Sequence, residues 1–181
     1  MCIRDRPKKQ YHDAVLALIE YPFDALYFTG FKSLDDAQCA LMGARAVYDG
    51  PVLISLVPNE EGVFSGGRTL SEGVALCDEY GADVIGVVSD APARVLVGFA
   101  KEMASSTDKP LLVDVSVRRK DRRQFEPTDE NPYPTADAMV ELVVRLRAQG
   151  VQFLRASGAA TPAYTGALLA TVGGSDVVVP Q

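Results

Sequence analysis

Short apolar runs rich in Val, Ile and Leu alternate along the chain with amphipathic stretches. Asp24–Thr29, Val52–Val57, Asp83–Ser89, Leu111–Val115 and Val151–Arg155 read as strands buried on both faces, because their apolar residues run continuously rather than alternating with polar ones. They recur at about the spacing of a βαβ unit, so parallel strands joined by right-handed helical crossovers are expected.

Helix starts are written into the intervals. Ser33-Leu34-Asp35-Asp36 and Thr69-Leu70-Ser71-Glu72 have the form of capping boxes, which satisfy backbone N–H groups left open in a first helical turn. Leu34, Ala37, Leu41, Ala44 and Tyr48 then recur at helical steps, and Gly50-Pro51 ends that element. A second helix stops at Gly81. Pro92 suits the first turn of a third, with Ser89 or Asp90 as cap and Val95, Leu96, Phe99 and Met103 as its apolar stripe. A fourth spans Thr135–Gln149 with Met139, Leu142, Val143 and Leu146 inward, and Thr161-Pro162 opens a short last one. Gly173-Gly174-Ser175-Asp176 followed by Val177-Val178-Val179-Pro180 reads either as a loop with a docking strand or as a truncated continuation.

Composition narrows the class. With 181 residues, 48% of them hydrophobic and 23% charged, the chain suits one globular domain. Its net charge of -6 argues against a nucleic-acid or membrane-surface partner and in favour of a small-molecule ligand. The absence of a long apolar run or a signal-peptide pattern makes a cytoplasmic location the expectation. Residues 1–6, Met1-Cys2-Ile3-Arg4-Asp5-Arg6, match nothing that follows and read as a non-native leader, leaving 7–181 as the domain.

Candidate chemistry is sparse. Cys2, Cys39 and Cys77 form no close pair, and Cys39 and Cys77 fall inside helical patterns as core thiols. The single histidine, His12, lies in an amphipathic stretch and reads as a packing or surface residue. Ser116–Pro134 is the one long connection, expected to be mobile. Its Arg118, Arg119, Lys120, Arg122 and Arg123 are followed by Glu126, Asp129 and Glu130, which points to a solvated, self-neutralising loop more than to an anion clamp.

Phe64-Ser65-Gly66-Gly67-Arg68, Gly81-Ala82-Asp83-Val84-Ile85-Gly86 and Ser157-Gly158-Ala159-Ala160-Thr161-Pro162 occur in an order and spacing that resembles the latter part of the homocysteine S-methyltransferase barrel. The resemblance runs from about Tyr11 to Gly174. It implies an α/β fold of the (β/α)8 TIM-barrel type, incomplete here, with strands four to eight present and the active site at their C-terminal ends. A partial barrel domain is therefore expected.

In that family three cysteine thiolates hold zinc, which binds the homocysteine thiol as a reactive thiolate. The matching positions here are Ser89 after the family's sixth strand and Ser157-Gly158 after its eighth, so no metal site and no cofactor are expected for this chain. The family's Glu-Thr after the fourth strand reads Phe28-Thr29, and its Asn after the seventh falls near Ser116. The resemblance implies methyl transfer in methionine metabolism, with zinc-dependent thiol activation lost. A non-catalytic binding or assembly module on the same barrel is the alternative.

Phe28, Thr29, Ser89, Asp90, Ser116, Arg155 and Ser157 are the candidate ligand-binding residues. Arg155 is placed to pair either with a ligand carboxylate or with Asp114 on the neighbouring strand. The expected ligand is an amino acid or a methyl donor, and a homo-oligomer or a corrinoid protein is the expected macromolecular partner.

Overall fold

The computed structural model describes residues 5–120 and 123–175. Among these residues six α-helices alternate with five strands: α1 (Asp5–Leu18), β1 (Leu26–Phe31), α2 (Leu34–Arg45), β2 (Val52–Leu56), α3 (Leu70–Glu79), β3 (Val84–Ser89), α4 (Ala93–Ser106), β4 (Leu111–Val117), α5 (Val140–Ala148), β5 (Val151–Gly158) and α6 (Pro162–Ser175), with a 3-10 turn, Asp137–Met139, leading into α5. All neighbouring strands pair in parallel and lie in chain order, β1-β2-β3-β4-β5. Right-handed crossovers in that order place every helix on one side of the sheet.

That side carries the core. Ile54 and Leu56 of β2, Ile85 and Val87 of β3, and Val113 and Val115 of β4 alternate onto it. They form one buried cluster with Leu41 of α2, Val74 of α3, Leu96 and Met103 of α4, and Leu142 and Leu146 of α5. Full burial of one such side chain contributes roughly 1.5–3 kcal/mol, whereas a helix cap contributes about 1 kcal/mol, so the helix–sheet interface dominates.

Both marked helix starts form. Ser33 Oγ accepts from the Asp36 N–H at 3.3 Å, and Thr69 makes a complete reciprocal box with Glu72. The third helix departs from expectation: its cap position is Pro92, with no side-chain cap bond. Ser89 Oγ accepts from the Ala91 N–H within its own turn, and Asp90 faces Arg118. Opposite the strand C-termini, Arg45 ties two loops together by donating to the Gly81 and Gly50 carbonyls and pairing with Asp83 at 2.6 Å.

Three further expectations change, and the leader is described only in part. The outer strands are not buried on both faces: Phe153 of β5 is 43% exposed, and Thr29 of β1 is also exposed, because among the described residues each of these strands has a neighbour on one side only. The last helix is 14 residues long and runs through Gly173 and Gly174, while Val177–Pro180 lie outside the described residues. Residues 1–4 of the expected leader also lie outside them; Asp5 and Arg6 begin α1, which packs on α2 with Val15 buried. The described residues of the long connection are tied down rather than loose. Tyr133 is buried with its hydroxyl on the Ala91 carbonyl, Arg118 donates to Asp90 and to the Glu130 carbonyl, and Lys120 sits 4.8 Å over the Phe125 ring.

Candidate functional site

The face of the sheet turned away from the helices is lined by the other half of each strand's alternation. Its polar members are Tyr27 and Thr29 of β1, Ser55 of β2, Asp114 and Ser116 of β4, and Arg155 and Ser157 of β5. Strong curvature brings them together: the Arg155 guanidinium, on the last strand, lies 5.4 Å from the ring centroid of Tyr27 on the first. Gly86 sits in the middle of this face, where a Cβ would fall 2.3 Å from the Leu112 carbonyl oxygen. A side chain there would force β3 and β4 apart and flatten the concavity.

Two linked groups line the hollow. Tyr27 and Ser55 hydroxyls hydrogen-bond at 2.9 Å, and Ser55 donates onward to Thr29 at 3.1 Å. Ser55 is fully buried, so this chain of hydroxyls satisfies it locally. Beside it, Arg155 donates through Nη1 to Asp114 Oδ2 at 3.1 Å, between register partners on β5 and β4. Asp114 is 1% exposed and the Arg155 side chain 48%, so the pair runs from the floor of the hollow to solvent.

Burial pushes the Asp114 carboxyl above the usual carboxylate range, although Ser157, Arg155 and Tyr27 pull in the other direction. Its Oδ1 is buried without a hydrogen-bond partner. The opposite balance holds at Asp90, where the Arg118 Nε–H donates at 2.6 Å and holds the carboxyl below its ordinary value.

Of the sequence-predicted residues, Thr29, Ser116, Arg155 and Ser157 lie on the concave face, with Ser116 and Ser157 in register at the strand ends. Phe28 takes the other parity of β1: it packs edge-on against Tyr11 of α1 at 6.0 Å, and it lines an open cleft together with Tyr27 and Thr29. Ser89 and Asp90 follow β3 and are engaged with Ala91 and Arg118. Arg155 takes the Asp114 alternative. Tyr27 and Ser55 were missed by sequence reasoning, although a lone serine in the apolar run Val52–Val57 is the signal that would have found it.

An open cleft of about 470 Å³ runs along β1, lined by Tyr11, Tyr27, Phe28, Thr29, Lys32 and Asp36 among others. A second, of about 430 Å³, is bounded by Lys32, Asn59, Phe64 and Ser65, and Lys32 is common to both.

A thiolate-bound metal does not fit here. Gly158 has φ +69°, and a Cβ on it would stand 2.6 Å from the Val117 carbonyl oxygen, so a cysteine could not be accommodated without moving backbone. Cys39 and Cys77 are buried in α2 and α3, with the Cys77 thiol pushed up to about 12 by burial and the nearby Asp78. Among the described residues, no group of three or more His, Cys, Asp or Glu side chains could hold a metal. No described helix is long and apolar enough to cross a membrane.

No family's sequence model matches the chain, and no curated protein matches it in sequence. Solved structures do match in fold. The apo form of the homocysteine methyltransferase MmuM from Escherichia coli superposes with a TM-score of 0.73 at 16% identity, covering 94% of this chain and 58% of that one. Its metallated form gives 0.74 at 16%, covering 94% and 52%. N-acetylneuraminate lyase from Mycoplasma synoviae gives 0.62 at 15%, covering 92% and 54%. The architecture is thus α/β, a partial TIM-type barrel, and the chain spans between half and three-fifths of the length of these neighbours. At such identities the likeness shows the fold alone.

Proposed function

We propose that the chain is part of a methyl-transfer barrel of the homocysteine methyltransferase kind, one that binds a small polar molecule on its concave face without activating a thiol through zinc. The observation that carries this reading is the Arg155–Asp114 pair, which places a charged, half-buried group on the one face of the sheet that helices leave uncovered. A charge withdrawn from water at that cost needs a role, and in barrels of this type ligands enter at the strand C-termini.

Support for the methyl-transfer part comes from the fold likeness to MmuM. Support for the loss of zinc chemistry comes from Gly158 and from the engagement of Ser89 with its own turn. On this reading the protein is cytoplasmic and its first partner is a small molecule. The test is homocysteine methylation, measured with and without added zinc alongside the zinc content of the purified protein. Zinc-independent methyl transfer to any acceptor supports the proposal; stoichiometric zinc with zinc-dependent methylation of homocysteine overturns it. The assembly alternative has less support, because Arg118 of the basic loop is already held by Asp90 and the Glu130 carbonyl.

A further inference from the structure

We infer that the cleft at the C-terminal ends of β1 and β2 is a binding site for a small phosphate monoester. Lys32, Asn59 and Ser65 hold the phosphate, and the organic group lies against Val57, Val63 and Phe64. The site shares no residue with the Arg155–Asp114 pair and does not rest on the reading of the concave face.

The polar side chains of the cleft are uncommitted donors brought together by three segments. Lys32 follows β1 directly, and the Val57 N–H donates to the Phe31 carbonyl at 2.8 Å, so the two strand ends are held side by side where the cleft opens. Among the described residues nothing accepts from the Lys32 ammonium, and Asp36, which lines the adjoining cleft with it, makes no ion pair with it. Asn59 Oδ1 accepts the Val63 N–H at 2.7 Å while the Asn59 N–H donates to the Val63 carbonyl at 3.0 Å, which fixes the side-chain amide and leaves its Nδ2 hydrogens without an acceptor among the described residues. Ser65 stands in a tight turn closed by the Gly67 N–H on the Phe64 carbonyl at 3.0 Å, and its hydroxyl has no partner among the described residues.

The class of ligand follows from that lining. In a chain of net charge -6 the cleft holds a lysine and no carboxylate, and the charge of Glu60, next to Asn59, acts on Arg118 and helps hold that guanidinium above its ordinary value. An ammonium, an amide NH2 and a hydroxyl select an anion over a cation or a zwitterion. A tetrahedral anion fits better than a planar one, because Lys32 is a point charge with three donors and no guanidinium fork lines the cleft to grip a carboxylate edge. Arg68, the cation nearest in sequence to Ser65, lines a different cleft with Asp35 and Glu72. At about 430 Å³ the space admits more than a bare phosphate, and Val57, Val63 and Phe64 offer the remainder an apolar floor.

Phenyl phosphate, inorganic phosphate, benzoate and benzyl alcohol separate the contributions, each titrated into the full chain at about 0.15 M salt and followed by backbone amide NMR. Phenyl phosphate is expected to bind in the millimolar range, about tenfold more tightly than inorganic phosphate, which has no ring to bury, and about tenfold more tightly than benzoate, which meets fewer donors. Benzyl alcohol should not bind. The shifts should centre on Lys32, Val57, Val63 and Ser65. Lys32→Gln should weaken phenyl phosphate about tenfold. Asn59→Asp keeps an acceptor for the Val63 N–H but puts a carboxylate oxygen where the NH2 stood, and should abolish binding. Both positions are exposed, and an unchanged unfolding temperature would show that each variant folds. No binding of phenyl phosphate up to about 10 mM, equal binding of phenyl phosphate and benzoate, or an affinity unchanged in either variant overturns the assignment. So do shifts centred on Arg118–Lys120, which would move the anion to the basic loop, or on Tyr27 and Arg155, which would move it to the concave face.

Discussion

Tyr27 and Arg155 stand on the first and last strands of a five-stranded sheet, yet the guanidinium lies 5.4 Å from the ring. Neighbouring strands are about 4.8 Å apart, so a flat sheet would hold these residues roughly four spacings from one another. The contact therefore measures the curl of the sheet, and Asp114 beneath it depends on Arg155 for its one direct ion pair among the described residues.

Truncating Arg155 should expose that dependence. Arg155→Met strands a buried carboxylate, and equilibrium urea unfolding should show a loss of roughly 2–3 kcal/mol. The double variant Asp114→Leu with Arg155→Met should recover most of it. If the double variant is as unstable as the single one, the loss comes from packing rather than from the orphaned charge.

Acid titration should show two carboxyls acting in opposite senses. Asp90 is held low by Arg118, so the stability it contributes is complete above the unfolded value of about 3.9 and is lost as pH falls through its folded value. Asp114 is raised by burial, so the folded state loses stability as pH climbs from about 3.9 through its folded value. Asp90→Asn should flatten the acid limb of the stability curve, and Asp114→Asn should remove a decline above it. Identical pH profiles for wild type and both variants would refute the two assignments.

Rebuilding the relatives' metal ligands should fail. The triple variant Ser89→Cys, Ser157→Cys, Gly158→Cys puts a side chain at a positive-φ position whose Cβ meets the Val117 carbonyl oxygen at 2.6 Å. We expect a protein destabilised by roughly 1–3 kcal/mol that does not take up zinc stoichiometrically, as measured by atomic absorption after dialysis. Full zinc loading with unchanged stability would show that the backbone adapts.

Among the described residues each outer strand has a row of backbone groups that no other strand pairs with, and β5 adds the exposed Phe153 ring. Self-association that rises with protein concentration is expected in sedimentation velocity of this stretch of chain. A single monomeric species up to hundreds of micromolar would mean that side chains at these edges block pairing.

The strand–helix alternation was legible because the periodicity of the apolar residues is set by local burial: every predicted strand forms, and Leu142, Val143 and Leu146 point inward as their spacing required. The chemistry was legible only where one register step decides it. Asp114 and Arg155 are opposite each other on adjacent strands, so their pairing could be foreseen as one of two outcomes. Tyr27 could not be linked to Arg155, because that contact is made by curvature, a property of the assembled sheet. Phe28 shows how parity acts: it packs on Tyr11 while its neighbours Tyr27 and Thr29 take the other face, and all three still line one cleft.

The two thiols buried in α2 and α3 turn the molecule into its own recorder of opening. With its thiol pushed up to about 12, Cys77 holds almost no reactive anion in the folded protein, so an alkylating reagent modifies it only when α3 lifts from the sheet. Pulse labelling read by mass spectrometry, site by site, would then report how often each of these helices comes away.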